Sequence, residues 1–65
     1  MILETYKNDI TGFSSHVCML RLNDEIHFTV DIFDTVEKTF LPLVKVFKPT
    51  EKEKAKEFAK DAISA

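Results

Sequence analysis

Glu25–Phe33, EIHFTVDIF, is the stretch whose reading decides the fold. Ile26, Phe28, Val30 and Ile32 recur at period two. His27, Thr29 and Asp31 take the alternate positions, and Phe33 closes the run. Strict alternation over this length marks a half-buried strand. β-branched and aromatic residues suit its pleated surface. In a helix the same apolar set would be scattered around the cylinder.

On the N-terminal side, His16–Leu22 reads as a second strand, with His16, Cys18, Leu20 and Leu22 on one face and Val17, Met19 and Arg21 on the other. Asn23-Asp24 turns the chain into Glu25–Phe33. The number of loop residues sets which faces coincide, because a slip of one residue reverses every side chain. A three-residue loop, Asn23–Glu25, sets Leu22 against Ile26, Leu20 against Phe28 and Cys18 against Val30. One face is then almost wholly apolar, and the gain is a few leucine-sized burials at roughly 1.5–3 kcal/mol each. A two- or four-residue loop mixes both faces. It has commoner turn geometry, but Asn-Asp lacks the favoured glycine. On the burial argument the three-residue loop is expected.

Further out, Ile2–Lys7 alternates weakly and reads as a short strand. Asn8-Asp9 and Thr11-Gly12 are turn signals, with the tightest turn at Gly12, the chain's one glycine. Phe13-Ser14-Ser15 reads as the rest of that connection. After the central strand, Asp34 and Glu37 have capping-box spacing. Pro42 opposes a helix running through the segment. The expectation is a helical turn near Asp34–Thr39, a break at Leu41-Pro42 and a strand Leu43–Phe47, with a kinked helix over 35–48 as the alternative. Thr50 and Glu53 form a second capping-box pattern behind Pro49. TEKEKAKEFAKDAIS, 50–64, then reads as a helix with a thin apolar stripe of Ala55, Phe58, Ala59, Ala62 and Ile63. The pairs Glu53–Lys56 and Glu57–Lys60 support its solvated face.

These segments make one α+β domain over 1–65: an antiparallel sheet of three to four strands with the C-terminal helix packed on one face. At 65 residues a chain buries only about 60% of its extended surface, so a partner chain is a common source of stability. The hydrophobic fraction of 45%, with six phenylalanines, is enough for a core. One cysteine, Cys18, excludes an internal disulfide and suits a reducing compartment, the cytoplasm. No apolar run reaches the roughly 20 residues of a membrane helix, and the start MILETYKND lacks the features of a signal peptide. A net charge of −2 with mixed signs argues against a general polyanion binder.

His16, Cys18, His27 and Asp31 are the residue types of a metal or nucleophile site. Zinc needs three or four such ligands converging. With the three-residue loop, His16 and Cys18 lie on the opposite face from His27 and Asp31 and cannot converge. No metal, cofactor or enzymatic activity is expected. Ser14-Ser15-His16 reads as loop.

In the same register Val17, Met19 and Phe33 lie on the face away from the helix, joined by Phe40 and Val46. One helix cannot cover two sheet faces, and an apolar second face points to a partner. The expected function is therefore a non-enzymatic protein-interaction module, an inhibitor or regulator binding a protein through an apolar sheet face or edge, most simply as a two-fold homodimer. Small size and missing motifs suit a phage or mobile-element protein. The alternative is a nucleic-acid-binding regulator using Lys52, Lys56 and Lys60. HFTVDI followed by KEKAKEFAKDAI loosely resembles the middle strand and last helix of double-stranded-RNA-binding domains, with Lys52, Ala55, Lys56 and Ala59 matching. Glu53 stands where a lysine belongs, and the resemblance identifies no family.

Overall fold

The computed structural model describes residues 1–42 and 45–64. Among these residues five strands and one helix follow in order: β1 (Ile2–Asn8), β2 (Phe13–Leu22), β3 (Glu25–Asp34), β4 (Thr39–Phe40), β5 (Lys45–Phe47) and α1 (Lys52–Ala62). All pairings are antiparallel. β1, β2 and β3 form a meander, and β4 and β5 pair in succession along the remaining edge of β3. The expected α+β architecture is present, with its C-terminal helix on one face of the sheet.

The hairpin at the centre corrects the expected register. The loop has two residues, Asn23 and Asp24, and Leu22 pairs with Glu25. Both loop residues have positive φ, 49° and 64°, the left-handed pair of a type I′ turn whose twist matches the flanking strands. Asn and Asp reach that region at lower cost than other side chains. Val17 therefore faces Val30 and Met19 faces Phe28, while Leu20 faces His27 and Cys18 faces Thr29. Turn geometry prevails over the segregation of Leu20 and Leu22 with Ile26 and Phe28. The leucines near this tip lie where the sheet runs past the helix, so burying them would gain less than full values.

The same pairing extends β2 back to Phe13, so Phe13-Ser14-Ser15 is strand and not loop. Both neighbours reach that far: Ser14 lies between Lys7 and Phe33, and Ser15 between Tyr6 and Ile32. Two four-residue loops close the same end of the sheet in parallel ways. Asn8 Oδ1 accepts from the N–H groups of Ile10 and Thr11, and Gly12 follows at φ 76°. Asp34 Oδ1 accepts from Val36 and Glu37, and Lys38 follows at φ 56°. Thus the Asp34 signal is used, but in a hairpin turn and not in the expected helical turn. Thr35 locks the loops together, its N–H and hydroxyl donating to Gly12 O at 2.8 and 2.7 Å. Lys45–Phe47 is strand as expected, while positions 43 and 44 of that expectation lie outside the described residues.

Helix α1 starts later than the Thr50 pattern implies. Pro49 and Thr50 form a turn in which Glu51 N–H donates to Lys48 O, and the Glu51 carboxylate accepts from Lys48 N–H at 2.9 Å. Glu51 is the N-cap residue without a side-chain capping bond, so Thr50 does not cap. Pro49 suits the second position of such a turn. Ala55, Ala59 and Ile63 are buried against the sheet, with Phe58 partly so; Ala62 is exposed. The core joins Val17, Phe28, Val30 and Phe47 to Ala55 and Ala59.

Small residues at the contact let the helix lie close. Ser15, fully buried, donates its hydroxyl to Ala59 O at 2.8 Å, near the end where helix carbonyls run out of intrahelical partners. Asn8 and Thr11 side chains both donate to Ile63 O at 2.9 Å. The first hairpin thus holds the helix C-terminus by polar contacts.

Candidate functional site

The sheet face opposite α1 has no element of this chain over it among the described residues. β5 does not fold across it; β5 extends the sheet at the β3 edge. The cross-strand pairs arrange this face in rows. Near the Asn23-Asp24 tip lie Leu22 beside Glu25, then Leu20 beside His27. The third row runs Ile2, Cys18, Thr29, Val46 across four strands. The fourth is Thr5, His16, Asp31. The last is Lys7, Ser14, Phe33, Phe40.

Five large apolar side chains of this face, Ile2, Leu20, Leu22, Phe40 and Val46, are between 41% and 61% exposed. Phe33 and Phe40 meet edge to face, their centroids 4.9 Å apart, a favoured aromatic arrangement. Of the residues expected to bind a partner, Phe33, Phe40 and Val46 lie on this face. Val17 and Met19 do not. The two-residue loop turns Val17 into the core and packs Met19 against it. In their place the face displays Ile2, Leu20 and Leu22. The signal for this exchange is the Asn-Asp dipeptide, whose two residues tolerate left-handed backbone.

The register also removes the stated reason for separating His16, Cys18, His27 and Asp31: all four now share a face. Thr5 Oγ1 lies 3.2 Å from His16 Nδ1, and the Cys18 thiol donates weakly to Asp31 Oδ2 at 3.9 Å. Burial, and then the Asp31 charge, push the Cys18 thiol up, the opposite of an activated nucleophile. Among the described residues no three His, Cys, Asp or Glu side chains are grouped to hold a metal ion. This band is a polar strip in a mixed face.

At the tip of the same sheet, where β5 ends, an open groove of about 650 Å³ is lined by Glu25, Ile26, His27, Lys48, Pro49 and Thr50. His27, one of the lining residues, has a buried Nδ1 with no hydrogen-bond partner among the described residues.

The lysines of the alternative nucleic-acid surface lie along α1. Lys56 Nζ sits 3.7 Å from Glu4 and 3.8 Å from Glu53, and Lys60 Nζ lies 5.5 Å above the Tyr6 ring. Lys52 is exposed in the first turn. β1 runs beside the helix, so Glu4, Tyr6 and Asn8 meet Lys56, Lys60 and Ile63 in step. Two of the three cations are thus engaged within the chain. No helix among the described residues is long and apolar enough to cross a membrane. Set against protein families, curated proteins and solved structures, the chain matches none.

Proposed function

We propose that this chain is a non-enzymatic protein-interaction module, an inhibitor or regulator that binds a protein through its open sheet face, with self-association into a homodimer as the simplest form. The cytoplasm, where Cys18 stays reduced, is the compartment this reading assigns. One observation supports it most: five large apolar side chains are exposed together on a face that α1 leaves bare. Exposed apolar side chains gathered on one face, here interrupted by the His16–Asp31 strip, mark interaction sites in soluble chains. The raised Cys18 thiol adds to the case against nucleophilic chemistry. The edge strand β1 offers a neighbouring route by strand addition.

A photo-crosslinking side chain at Leu20 tests the reading, with one at Lys54 on the exposed helix as control. Protein adducts, to this chain or another, are expected from position 20 well above position 54. Equal or absent adducts at both would refute it. The nucleic-acid reading is weaker because acidic neighbours and a ring engage Lys56 and Lys60. Salt-sensitive binding to RNA or DNA, lost in Lys52→Glu, would revive it.

A further inference from the structure

We propose that the occupant of the open face is a second copy of this chain, seated face to face about a two-fold axis that runs along the strands between β2 and β3. This rests on the interaction reading above and specifies its partner.

Area is the first argument. From Glu25 to Phe33 is eight residue steps, about 27 Å at strand rise, and four strands span about 19 Å. The footprint is then about 500 Å² per chain. Two such faces reach the roughly 1,000 Å² that a specific interface needs. The chain's extents of 37 × 20 × 17 Å accommodate a patch of that size.

Charge is the second. On this face β1 and β2 carry Lys7 and His16 and no carboxylate, whereas β3 carries both carboxylates, Glu25 and Asp31, together with His27. A two-fold along the strands lays each half on the other and keeps each row on itself. His16 then meets Asp31 of the other copy. Thr5 engages His16 Nδ1 and the thiol engages Asp31 Oδ2, and among the described residues neither Nε2 nor Oδ1 has a hydrogen-bond partner, so both can reach across. In the same arrangement Ile2 packs on Val46, and the Lys7 ammonium approaches the exposed Phe40 ring, a favourable pairing. Leu22 and Glu25 meet at the rim.

The competing two-fold, across the strands, matches less well. It folds the Leu22–Glu25 row onto the four-strand row of Lys7, Ser14, Phe33 and Phe40. Both axes set an apolar side chain on Glu25, Leu22 in the proposed arrangement and Phe33 in this one, but here Lys7 and Phe40 would also have no counterpart.

Cross-linking distinguishes the two arrangements. Stacked sheets lie about 10 Å apart, so a short bismaleimide is used on Cys18→Ser chains carrying Ile2→Cys or Val46→Cys. The proposed axis separates Ile2 from its own copy by three strand spacings, about 14 Å sideways, and sets it opposite Val46. The mixture of the two variants is expected to yield a cross-linked species of twice the 7.5 kDa chain mass, and each variant alone very little. Both positions are exposed, and circular dichroism checks that the variants fold. Self-cross-linking of either variant alone would overturn the proposed axis. So would a wild-type dimer that Leu20→Lys and Val46→Lys leave intact. A wild-type chain that sediments as a monomer at its highest attainable concentration would overturn the homodimer. If position 20 then still photo-cross-links to another protein, the interaction reading stands and this inference alone falls.

Discussion

Replacing single residues of the central hairpin with glycine tests the register that decides both faces of the sheet. In the two-residue loop Asp24 sits at φ 64°, while Glu25 is the first residue of β3 and pairs with Leu22. Left-handed backbone costs an L-residue roughly 1–2 kcal/mol, less for Asp. Glycine removes that cost but loses roughly 0.5–1 kcal/mol through its extra freedom in the unfolded chain. Asn-Gly is also the favoured pair for this turn. Asp24→Gly is therefore expected to stabilise the fold by about 0.5 kcal/mol. Glu25→Gly puts glycine in an extended strand and is expected to destabilise by about 0.5–1 kcal/mol. A three-residue loop reverses the order, because its left-handed position is the third residue, Glu25. Thermal unfolding followed by circular dichroism reads both variants. A domain of this size shifts its Tm by about 4–8 °C per kcal/mol, so the two melts should separate by several degrees. Stabilisation by Glu25→Gly together with loss in Asp24→Gly would refute the register. It would also return Val17 and Met19 to the open face.

Other contacts are open to equally direct tests. Ser15→Ala leaves Ala59 O without its buried donor and should cost about 1–3 kcal/mol, read by the same melts; a change under about 0.5 kcal/mol would remove this hydroxyl from the forces docking the helix. Cys18, its thiol pushed up by burial and Asp31, should react with a thiol reagent at mildly alkaline pH more slowly than in the urea-unfolded chain, and Asp31→Asn should quicken it. Equal rates in folded and unfolded protein would contradict the burial. The Lys48 backbone N–H holds the Glu51 carboxyl below the usual carboxylate range. Its contribution is then present above the unfolded-state value and lost as pH falls through the lower folded value. Glu51→Gln should flatten that part of the acid limb of stability against pH, and an unchanged limb would count against the turn.

Much of the fold was legible from local pattern. The period-two run Glu25–Phe33, the left-handed position at Gly12 and the 3.6-residue stripe of Ala55, Ala59 and Ile63 each follow from backbone geometry acting over a few residues. So does the expectation of an antiparallel sheet with one helix, since each amphipathic element must bury its apolar side. The faces were not legible in this way. Burial arithmetic favoured placing Leu20 and Leu22 with Ile26 and Phe28, and that arithmetic assumed the helix would cover the whole sheet. Only tertiary structure decided where an 11-residue helix ends over ten-residue strands, and hence which leucines a register change could bury at all. Ser14-Ser15 and Asp34–Thr39 depart from their sequence expectation for a related reason. A serine becomes strand when both neighbours pair with it, and an aspartate that caps N–H groups serves a hairpin as readily as a helix. Local chemistry sets what each segment can do, and the packing of the other segments selects among those options.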